Sequence, residues 1–377
     1  MTQTIGFVYS DSYQMYNFGP THPLRPVRLK LTFELMRAIG LLGSPAILVR
    51  DPRRAEDAEL SLFHEEPYIR LVKHMSESGS GFLDMGDTPA FKGCYESSAL
   101  YTGASLTAVD LVMSGASTHA MNIAGGLHHA HPSRASGFCI FNDPAISIAY
   151  LKKKYSLERI LYLDIDAHHG DGVMYGFFSD KTLLDIDFHE DGHHLFPGTG
   201  FTDEIGTGAA QGIKINVPLS PFTGDDTYLQ LFREIVPPAV RGFRPQIMLM
   251  QCGADSHAND LLAHLQLTTR SYCEVAKIMH NLAHEVADGR LVIFGGGGYN
   301  PSNVARAWTL IAATLIDFSA PNKIPEDWKR LYEAMIGEKA PSEIDSSAEA
   351  NNKARDMELD YSTRLLEDLK RRIPLLR

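Results

Sequence analysis

The stretch ILYLDIDAHHGDGV, residues 160–173, decides the fold of this chain. Its first four residues are apolar without interruption, which is typical of a strand buried on both faces of a parallel sheet. Three aspartates and two histidines follow at once: Asp164, Asp166, His168, His169 and Asp171. In an open parallel sheet, ligands bind beyond the carboxyl ends of the strands. The stretch therefore predicts a buried strand of an α/β sheet with titratable groups at the ligand-binding edge.

Seven further apolar runs extend this pattern, at residues 4–10, 46–49, 118–124, 182–188, 213–219, 246–252 and 291–297. Helical periodicity lies between most of them, at residues 28–42, 96–114, 143–154, 228–241 and 269–287. Strands that alternate with helices predict a single α/β domain with an open, eight-stranded parallel sheet flanked by helices on both sides.

The composition changes after about Pro321. We therefore expect one domain over residues 1–320 that carries the chemistry. Residues 321–377 are predicted to form an appendage, polar at 337–353 and with a charged amphipathic segment at 355–372.

The chain of 377 residues carries a formal net charge of −11. This charge argues against non-specific binding to nucleic acid, which relies on Lys and Arg to neutralise phosphates. The four cysteines lack CxxC spacing and are too sparse for a disulfide framework, which indicates a reducing compartment. No signal-peptide pattern and no apolar window long enough for a membrane span are found. We therefore expect a cytoplasmic protein without membrane or nucleic-acid partners.

A candidate metal site begins in the opening stretch. Asp166 and His168 are two residues apart, so on an extended backbone their side chains point to the same side. Asp255, which follows another predicted strand, could supply a third ligand. Three protein ligands with one open position are typical of a catalytic zinc site. The alternative for this short motif is an ordinary polar loop in which an aspartate caps the next helix.

The segment GGLHHA at residues 125–130 places His128 and His129 at the end of a third strand. The two imidazoles could act as a general base and its electrostatic partner. Asp164 and Asp171 could each accept a hydrogen bond from one of them, which would fix the tautomer and raise the basicity. Taken alone, either histidine is more often a satisfied or exposed side chain.

The glycine-rich segment GGGGY at residues 295–299 ends on Tyr299, whose hydroxyl could donate a hydrogen bond to a developing oxyanion. A phosphate-binding loop is the competing interpretation, but neither GxGxxG nor GxxxxGK[ST] occurs there. The segment HEDGHH at residues 189–194 is interpreted as mostly an exposed loop, with a second metal site as the less favoured hypothesis.

Seven motifs, in this order, resemble the histone deacetylase superfamily, particularly its bacterial and archaeal histone-deacetylase-like and acetoin-utilisation members. They are HPLRPVR (22–28), GGLHHA (125–130), ASGFCIFND (135–143), ILYLDIDAHHGDGV (160–173), FPGTG (196–200), GAD (253–255) and GGGGYN (295–300). The resemblance implies the arginase/deacetylase fold, a single α/β domain with an eight-stranded parallel sheet. It also implies one catalytic Zn²⁺ on Asp166, His168 and Asp255, with Fe²⁺ as the alternative, and a monovalent cation such as K⁺ near the strand that carries Asp164.

The same resemblance implies a role for each remaining site residue. His128 and His129 correspond to a histidine dyad backed by Asp164 and Asp171 respectively, with His129 expected to be the base, and Tyr299 polarises the scissile carbonyl. His169 is left without a catalytic role and is expected to be structural. The residues implied in substrate binding are Gly137 through its carbonyl, Phe138 and Phe196 around a methylene chain, Asp87 at the rim, Leu262 in the tunnel wall and Arg28 in an internal cavity.

These residues predict a zinc-dependent amidohydrolase that removes acetyl or a related short acyl group from lysine side chains of proteins and releases acetate. The alternative substrate is an acetylpolyamine or another small acylated amine, although nothing resembles the gatekeeper insertion of polyamine deacetylases. A non-catalytic scaffold that binds acyl-lysine is the least favoured hypothesis, because every catalytic position is filled. Many relatives have a basic residue after His189, whereas Glu190 and Asp191 follow here. An acidic rim there would favour a cationic ligand, unless the two carboxylates are simply solvated.

Overall fold

Eight parallel strands form one sheet within residues 3–349 and 355–377, the part of the chain that this computed structural model describes. The strands are β1 (Ile5–Val8), β2 (Ile47–Arg50), β3 (His119–Asn122), β4 (Ile160–Asp164), β5 (Leu183–Glu190), β6 (Lys214–Leu219), β7 (Ile247–Gln251) and β8 (Leu291–Phe294). Their order across the sheet is β2-β1-β3-β8-β7-β4-β5-β6. The predicted α/β fold and its parallel sheet are confirmed, with most strand ends moved inward from the predicted runs.

Helices flank this sheet. Those in the described ranges are α1 (Val27–Ala38), α2 (Asp57–Leu60), α3 (Glu66–Ser78), α4 (Cys94–Met113), α5 (Asp143–Tyr155), α6 (Asp171–Gly176), α7 (Asp225–Phe243), α8 (Thr269–Val286), α9 (Pro301–Leu315), α10 (Glu326–Ile336) and α11 (Arg355–Arg372). Five correspond to the segments of predicted helical periodicity, and α11 corresponds to the predicted charged amphipathic segment. The first of these was predicted to reach residue 42 but ends at Ala38, because Gly40 adopts φ +80° and a short 3₁₀ turn follows. None of the helices that are described combines the length and apolar character of a membrane span.

The strand order explains why distant motifs meet. β3, β8, β7 and β4 are consecutive neighbours in the sheet, and all four end at the same edge. The loops after them carry the histidine pair, the four glycines, Asp255 and the DAHHGDG segment. Close approach depends on glycine, since a Cβ at Gly126 would lie 2.6 Å from the amide nitrogen of Gly296.

The strand that opened the sequence analysis lies in the middle of this arrangement. Leu161 and Leu163 of β4 are fully buried, and so is the side chain of Asp164 at its end. Each buried leucine contributes about 1.5–3 kcal/mol relative to an exposed one. This burial fixes the end of β4, and with it the starting position of the polar residues that follow.

The segment after residue 320 packs on the rest of the molecule where it is described. The indole of Trp328 on α10 donates a hydrogen bond to the carbonyl of Leu31 at 2.8 Å. The hydroxyl of Tyr361 on α11 donates to the carbonyl of Pro218 at 2.9 Å. The predicted division at residue 320 stays a prediction, and residues 350–353 of the predicted polar segment lie outside the described residues.

Candidate active site

Three side chains that could hold a metal ion meet beyond the ends of β4 and β7. Asp166, His168 and Asp255 each offer a ligand atom within 4.8 Å of the other two. The Nδ1 atom of His168 lies 3.1 Å from Asp166 Oδ1 and 3.1 Å from Asp255 Oδ2. All three residues are buried. The structure therefore brings together the three residues that the sequence nominated as ligands.

The electrostatics of this cluster suit a cation. Burial and the neighbouring Asp166 raise the pKa of Asp255 to about 7. Burial also acts to raise the pKa of Asp166, but His128 and His168 outweigh it and hold that pKa well below its usual range. Two carboxylates this close repel each other unless positive charge lies between them. One imidazole and two carboxylates form a donor set that fits Zn²⁺ or Fe²⁺.

Hydrogen bonds leave one oxygen of each carboxylate facing His168. Asp166 Oδ2 accepts from Gln251 Nε2 at 2.7 Å and from the amide of Gly297 at 2.7 Å. Asp255 Oδ1 accepts from the amide of Ala167 at 2.9 Å. Such bonds orient metal ligands and tune their affinity. Gln251 was missed by the sequence analysis, although a polar residue that ends an apolar run was a signal available there.

His128 and His129 lie beside this cluster, and each is tied to its own aspartate. His128 Nδ1 is 2.7 Å from Asp164 Oδ2, and His129 Nδ1 is 2.7 Å from Asp171 Oδ1. The two Nε2 atoms are 3.1 Å apart, and His128 Nε2 is 3.9 Å from Asp166 Oδ1. The four residues are buried, so both imidazoles are held in one orientation.

The surroundings shift the pKa values of the two histidines in opposite directions. Burial, reinforced by the adjacent His128, lowers the pKa of His129 to about 4. Burial acts in the same direction on His128, but Asp164 and Asp166 outweigh it and raise the pKa of His128 to about 10. The surroundings therefore favour the protonated form of His128 and the neutral form of His129, which can accept a proton.

Two further side chains support the aspartates behind the histidines. The Tyr162 hydroxyl donates to Asp164 Oδ2 at 2.6 Å. His131 Nε2 lies 3.1 Å from Asp171 Oδ2. Neither residue was identified from the sequence. Tyr162 lies two residues before Asp164 on the same strand, so the spacing that paired Asp166 with His168 could also have indicated it.

Aromatic rings surround the approach to the cluster. The Tyr299 ring is 6.3 Å from the His168 ring and 5.9 Å from the Phe138 ring. Phe196 lies on the histidine side, with its ring 5.1 Å from His129, and remains 45% exposed. Phe138 therefore lies beside Tyr299, and Phe196 lies beside His129.

Gly137 lies against the proposed base. Its φ is +53°, and a Cβ there would lie 2.4 Å from Cδ2 of His129. A side chain at this position would displace the imidazole, so glycine is required by space and by backbone conformation. The Gly137 carbonyl is 3.3 Å from the Cys139 sulfur.

The backbone of Tyr299 is fixed by a residue that the sequence analysis missed. Asp260 accepts from the Tyr299 amide at 2.8 Å and from the Leu262 amide at 2.9 Å. One carboxyl group therefore couples the tyrosine to the segment that carries Leu262, which is 36% exposed.

Two cavities adjoin the site, a groove at the surface and a smaller cavity next to the histidine pair. Asp87 and Phe196 line a surface groove of about 930 Å³ together with Asp84, Met85 and Arg134. An inner cavity of about 20 Å³, room for a water molecule, is lined in part by residues 126–129 and 137–139 and by Tyr299.

Arg28 is buried close to this inner cavity. Its Nη1 donates to the Gly298 carbonyl at 3.2 Å, and its guanidinium lies 5.2 Å from the Trp308 ring centre. Gly298 is the residue before Tyr299, which lines the cavity. The role of Arg28 in the cavity stays a prediction.

The expectation of an exposed loop at residues 189–194 is wrong for the first two residues. His189 and Glu190 are the last residues of β5 and are buried, because β5 pairs with β6 as far as Glu190 opposite Leu219. Glu190 accepts from the His264 amide at 2.8 Å and lies 2.7 Å from His264 Nδ1. Its carboxylate is therefore turned inward instead of contributing to an acidic rim.

The next residue of this segment, Asp191, also forms hydrogen bonds. Asp191 accepts from the His193 amide at 2.9 Å and from the Tyr361 hydroxyl at 3.0 Å. His193 itself is exposed. His169 lies beneath the segment, with Nδ1 2.8 Å from the Thr199 hydroxyl and its ring 4.8 Å from that of His189. These contacts agree with the structural role expected for His169.

Comparison with known proteins gives consistent matches over nearly the whole chain. The histone deacetylase domain family matches residues 22–315. The acetoin utilization protein AcuC of Bacillus subtilis is 42% identical over 330 residues, which are 85% of this chain and 84% of that protein. The protein of the same name from Staphylococcus xylosus is 40% identical over 337 residues, 87% of each chain.

A solved structure matches the fold. The crystal structure of an HDAC homolog complexed with SAHA superposes with a TM-score of 0.86 and is 29% identical in sequence. The match covers 98% of this chain and 100% of the other.

Proposed function

The chain belongs to the histone deacetylase family and is a hydrolytic deacetylase, and on that premise we propose a metal-dependent deacylase of lysine side chains in proteins. The observation that carries the proposal is the position of His129, which Asp171 holds next to the Asp166, His168 and Asp255 cluster. A proton acceptor beside a triad of metal-type ligands is the arrangement that amide hydrolysis needs.

The proposed metal is Zn²⁺, with Fe²⁺ as the alternative, and the residues that would hold it are Asp166, His168 and Asp255. The chemistry that such an ion supplies when bound is polarisation of the acyl carbonyl and a lower pKa for water. The bonds from Gln251 and the Gly297 amide to Asp166 would keep its other oxygen directed at the ion.

The proton steps fall to the histidines. His129 takes a proton from the water that attacks the acyl carbon, and it later gives that proton to the amine nitrogen as the C–N bond breaks. The products are acetate and a free amine. Asp171 stabilises the imidazolium that forms on His129 between the two steps. His128 is held by Asp164, which acts to raise its pKa, and supplies electrostatic stabilisation.

Tyr299 is proposed to donate its hydroxyl hydrogen to the oxyanion that develops on the acyl oxygen. Burial raises the pKa of Tyr299 well above its usual range, so the hydroxyl keeps its proton. A donor of this kind contributes about 3 kcal/mol to transition-state stabilisation. Asp260, which accepts the Tyr299 amide hydrogen, would keep the hydroxyl in position.

The surroundings favour a lysine side chain on a larger molecule. Phe138 and Phe196 would contact a methylene chain from two sides, with the Gly137 carbonyl as acceptor for the substrate amide and Leu262 in the tunnel wall. The groove of about 930 Å³ next to Phe196 offers space for the residues flanking the lysine, with Asp87 as acceptor at its edge.

An acetylpolyamine or another small acylated amine is the second candidate. A cationic amine of this kind would bind more tightly if free carboxylates lined the rim. Glu190 is instead engaged with His264, and Asp191 is engaged with His193 and Tyr361. A non-catalytic scaffold remains the least favoured hypothesis, since every proposed catalytic position carries a competent side chain.

Two further expectations belong to this proposal. A monovalent cation such as K⁺ would bind near Asp164, where Asp187 pairs in register on β5 and both side chains are buried. We place the protein in the cytoplasm on account of its free thiols at Cys94, Cys139, Cys252 and Cys273.

The deciding experiment measures metal content and turnover on a panel of acyl-lysine peptides and acetylpolyamines, for the wild type and Tyr299→Phe. We expect the metal-loaded wild type to cleave acetyl-lysine peptides and the variant to keep its metal but lose most turnover. Faster cleavage of acetylpolyamines than of every peptide would favour the second candidate. A metal-loaded wild type that cleaves nothing in the panel would contradict the proposed substrates.

A further inference from the structure

A second group of potential metal ligands lies at the opposite edge of the sheet from the active site. His119 is the first residue of β3, so it stands at the amino-terminal edge. His280 and His284 belong to the last two turns of α8, which leads into β8, the neighbour of β3. The three histidines therefore lie away from the carboxyl ends of the strands, where the active-site residues lie.

The three imidazoles are close enough to share one ion. One ring nitrogen of each lies within 4.8 Å of the others, and His119 Nε2 is 3.0 Å from His280 Nδ1. The ring centre of His119 lies 5.0 Å from that of His280 and 5.4 Å from that of His284, and the latter two are 4.6 Å apart. Zinc–nitrogen bonds of about 2.0–2.1 Å in a tetrahedral site place neighbouring nitrogens about 3.3 Å apart. Small rotations of the rings would reach that spacing.

Their placement on the backbone also suits a metal site. His280 and His284 are four residues apart, so they project from the same face of α8. The second ring nitrogen of His280 lies 3.1 Å from the side-chain amide of Gln3. The atom of Gln3 that faces this ring is the amide nitrogen, so a metal on Nδ1 of His280 would leave a proton on Nε2 and require the Gln3 amide to turn its oxygen towards it.

The cluster is accessible from solvent on one side. His119 is buried, His280 is partly buried and His284 is exposed. His284 lines a pocket of about 560 Å³ together with Gln3, Asp288 and Arg290. The guanidinium of Arg290 lies 3.4 Å from the carboxylate of Asp288. This ion pair offsets the positive charge that would otherwise repel a cation in the pocket. The pocket would admit an ion and leave room for water as a fourth ligand.

We propose that His119, His280 and His284 bind a divalent transition-metal ion, with Zn²⁺ as the expected ion, at a site separate from the deacetylase centre. Three imidazoles without a carboxylate favour Zn²⁺, Co²⁺, Ni²⁺ or Cu²⁺ over Mg²⁺ and Ca²⁺. The ion would join the end of α8 to the start of β3, so its effect is to stabilise this edge of the sheet.

The test counts zinc ions on the full-length protein after equilibration with Zn²⁺ and removal of the excess. We expect about two ions per chain in the wild type, about one in His284→Ala and about one in His168→Ala. Deacetylase turnover should be unchanged in His284→Ala and lost in His168→Ala. His74→Ala, which removes an exposed helical histidine elsewhere, is the matched control and should keep both ions.

A stability measurement provides the second readout. Excess Zn²⁺ should raise the Tm of His168→Ala but not that of His168→Ala/His284→Ala, and Mg²⁺ should raise neither. His284→Ala chains that hold as much zinc as the wild type would overturn the proposal. So would a wild type whose zinc is lost entirely in His168→Ala, because the three histidines would then be a hydrogen-bonded cluster only.

Discussion

The Nε2 atoms of His128 and His129 lie 3.1 Å apart, yet each imidazole is tied through Nδ1 to a different aspartate. Asp164 belongs to the end of β4, whereas Asp171 opens α6. Burial acts to lower the pKa of both imidazoles, but Asp164 and the nearby Asp166 outweigh it at His128, so the two pKa values shift in opposite directions. This asymmetry is the physical basis for assigning the proton transfers to His129.

Replacing the proposed base tests that assignment. His129→Ala should retain its metal and lose turnover by about 10²–10⁴-fold, since general acid–base catalysis contributes that much. The measurement pairs metal analysis with steady-state kinetics on an acetyl-lysine peptide. His194→Ala, an exposed histidine of the 189–194 segment, is the control and should be fully active. Turnover that survives in His129→Ala would remove this residue from its proposed role.

Removing the Tyr299 hydroxyl tests the oxyanion donor. Tyr299→Phe should lower kcat by about 10²–10³-fold with little change in KM, because the hydrogen bond forms only as charge develops on the acyl oxygen. Circular dichroism and metal content should match those of the wild type. A rise in KM with kcat intact would indicate that the hydroxyl binds the ground state instead.

Gln251 offers a test of the metal site that leaves all three proposed ligands in place. Gln251→Leu removes a donor to Asp166 while keeping a similar side-chain volume. The metal affinity should fall by about 10–100-fold, the usual effect of losing a hydrogen bond that orients a ligand. Competition with a chelator of known affinity measures the change. Equal affinity in the variant and the wild type would show that Gln251 does not orient Asp166 for metal binding.

Asp87 should make substrate binding depend on pH. Partial burial and the neighbouring Asp84 raise the pKa of Asp87 to about 6. The carboxyl is protonated below this pH and ionised above it, and only the ionised form is a strong acceptor for backbone N–H groups of a peptide. KM for peptides should therefore fall as the pH rises through about 6. Asp87→Asn should remove this dependence, and an unchanged profile in the variant would contradict the role.

Trp328 tests whether residues beyond 320 fold with the rest of the chain. The indole is almost fully buried and bonds to Leu31 on α1. Trp328→Ala should lower the free energy of unfolding by about 3–5 kcal/mol and keep one cooperative transition. Met335→Ala, on the exposed side of the same helix, is the control with a small effect. A separate early transition in the wild type would instead support an independent appendage.

The sequence by itself determined the number and type of the strands, because an apolar run buried on both faces is a local signal. It also indicated Asp166, His168 and Asp255, since titratable residues at strand ends can be read from their position after each run. The resemblance to a known family then supplied roles that spacing alone left open. The error at His189 and Glu190 arose because β5 continues into polar residues, which the apolar pattern does not mark.

Only the tertiary structure decided which side chains hydrogen-bond to the site residues and which histidines form the second cluster. Gln251 and Asp260 act on partners that are distant in sequence, whereas Tyr162 is itself hidden in an apolar run two residues before its partner Asp164. His119 and His280 are separated by 161 positions and meet through the order of β3 and β8 in the sheet. Periodicity reports which face of an element is buried, whereas strand order and register bring distant residues together, and those depend on the packing of the whole chain.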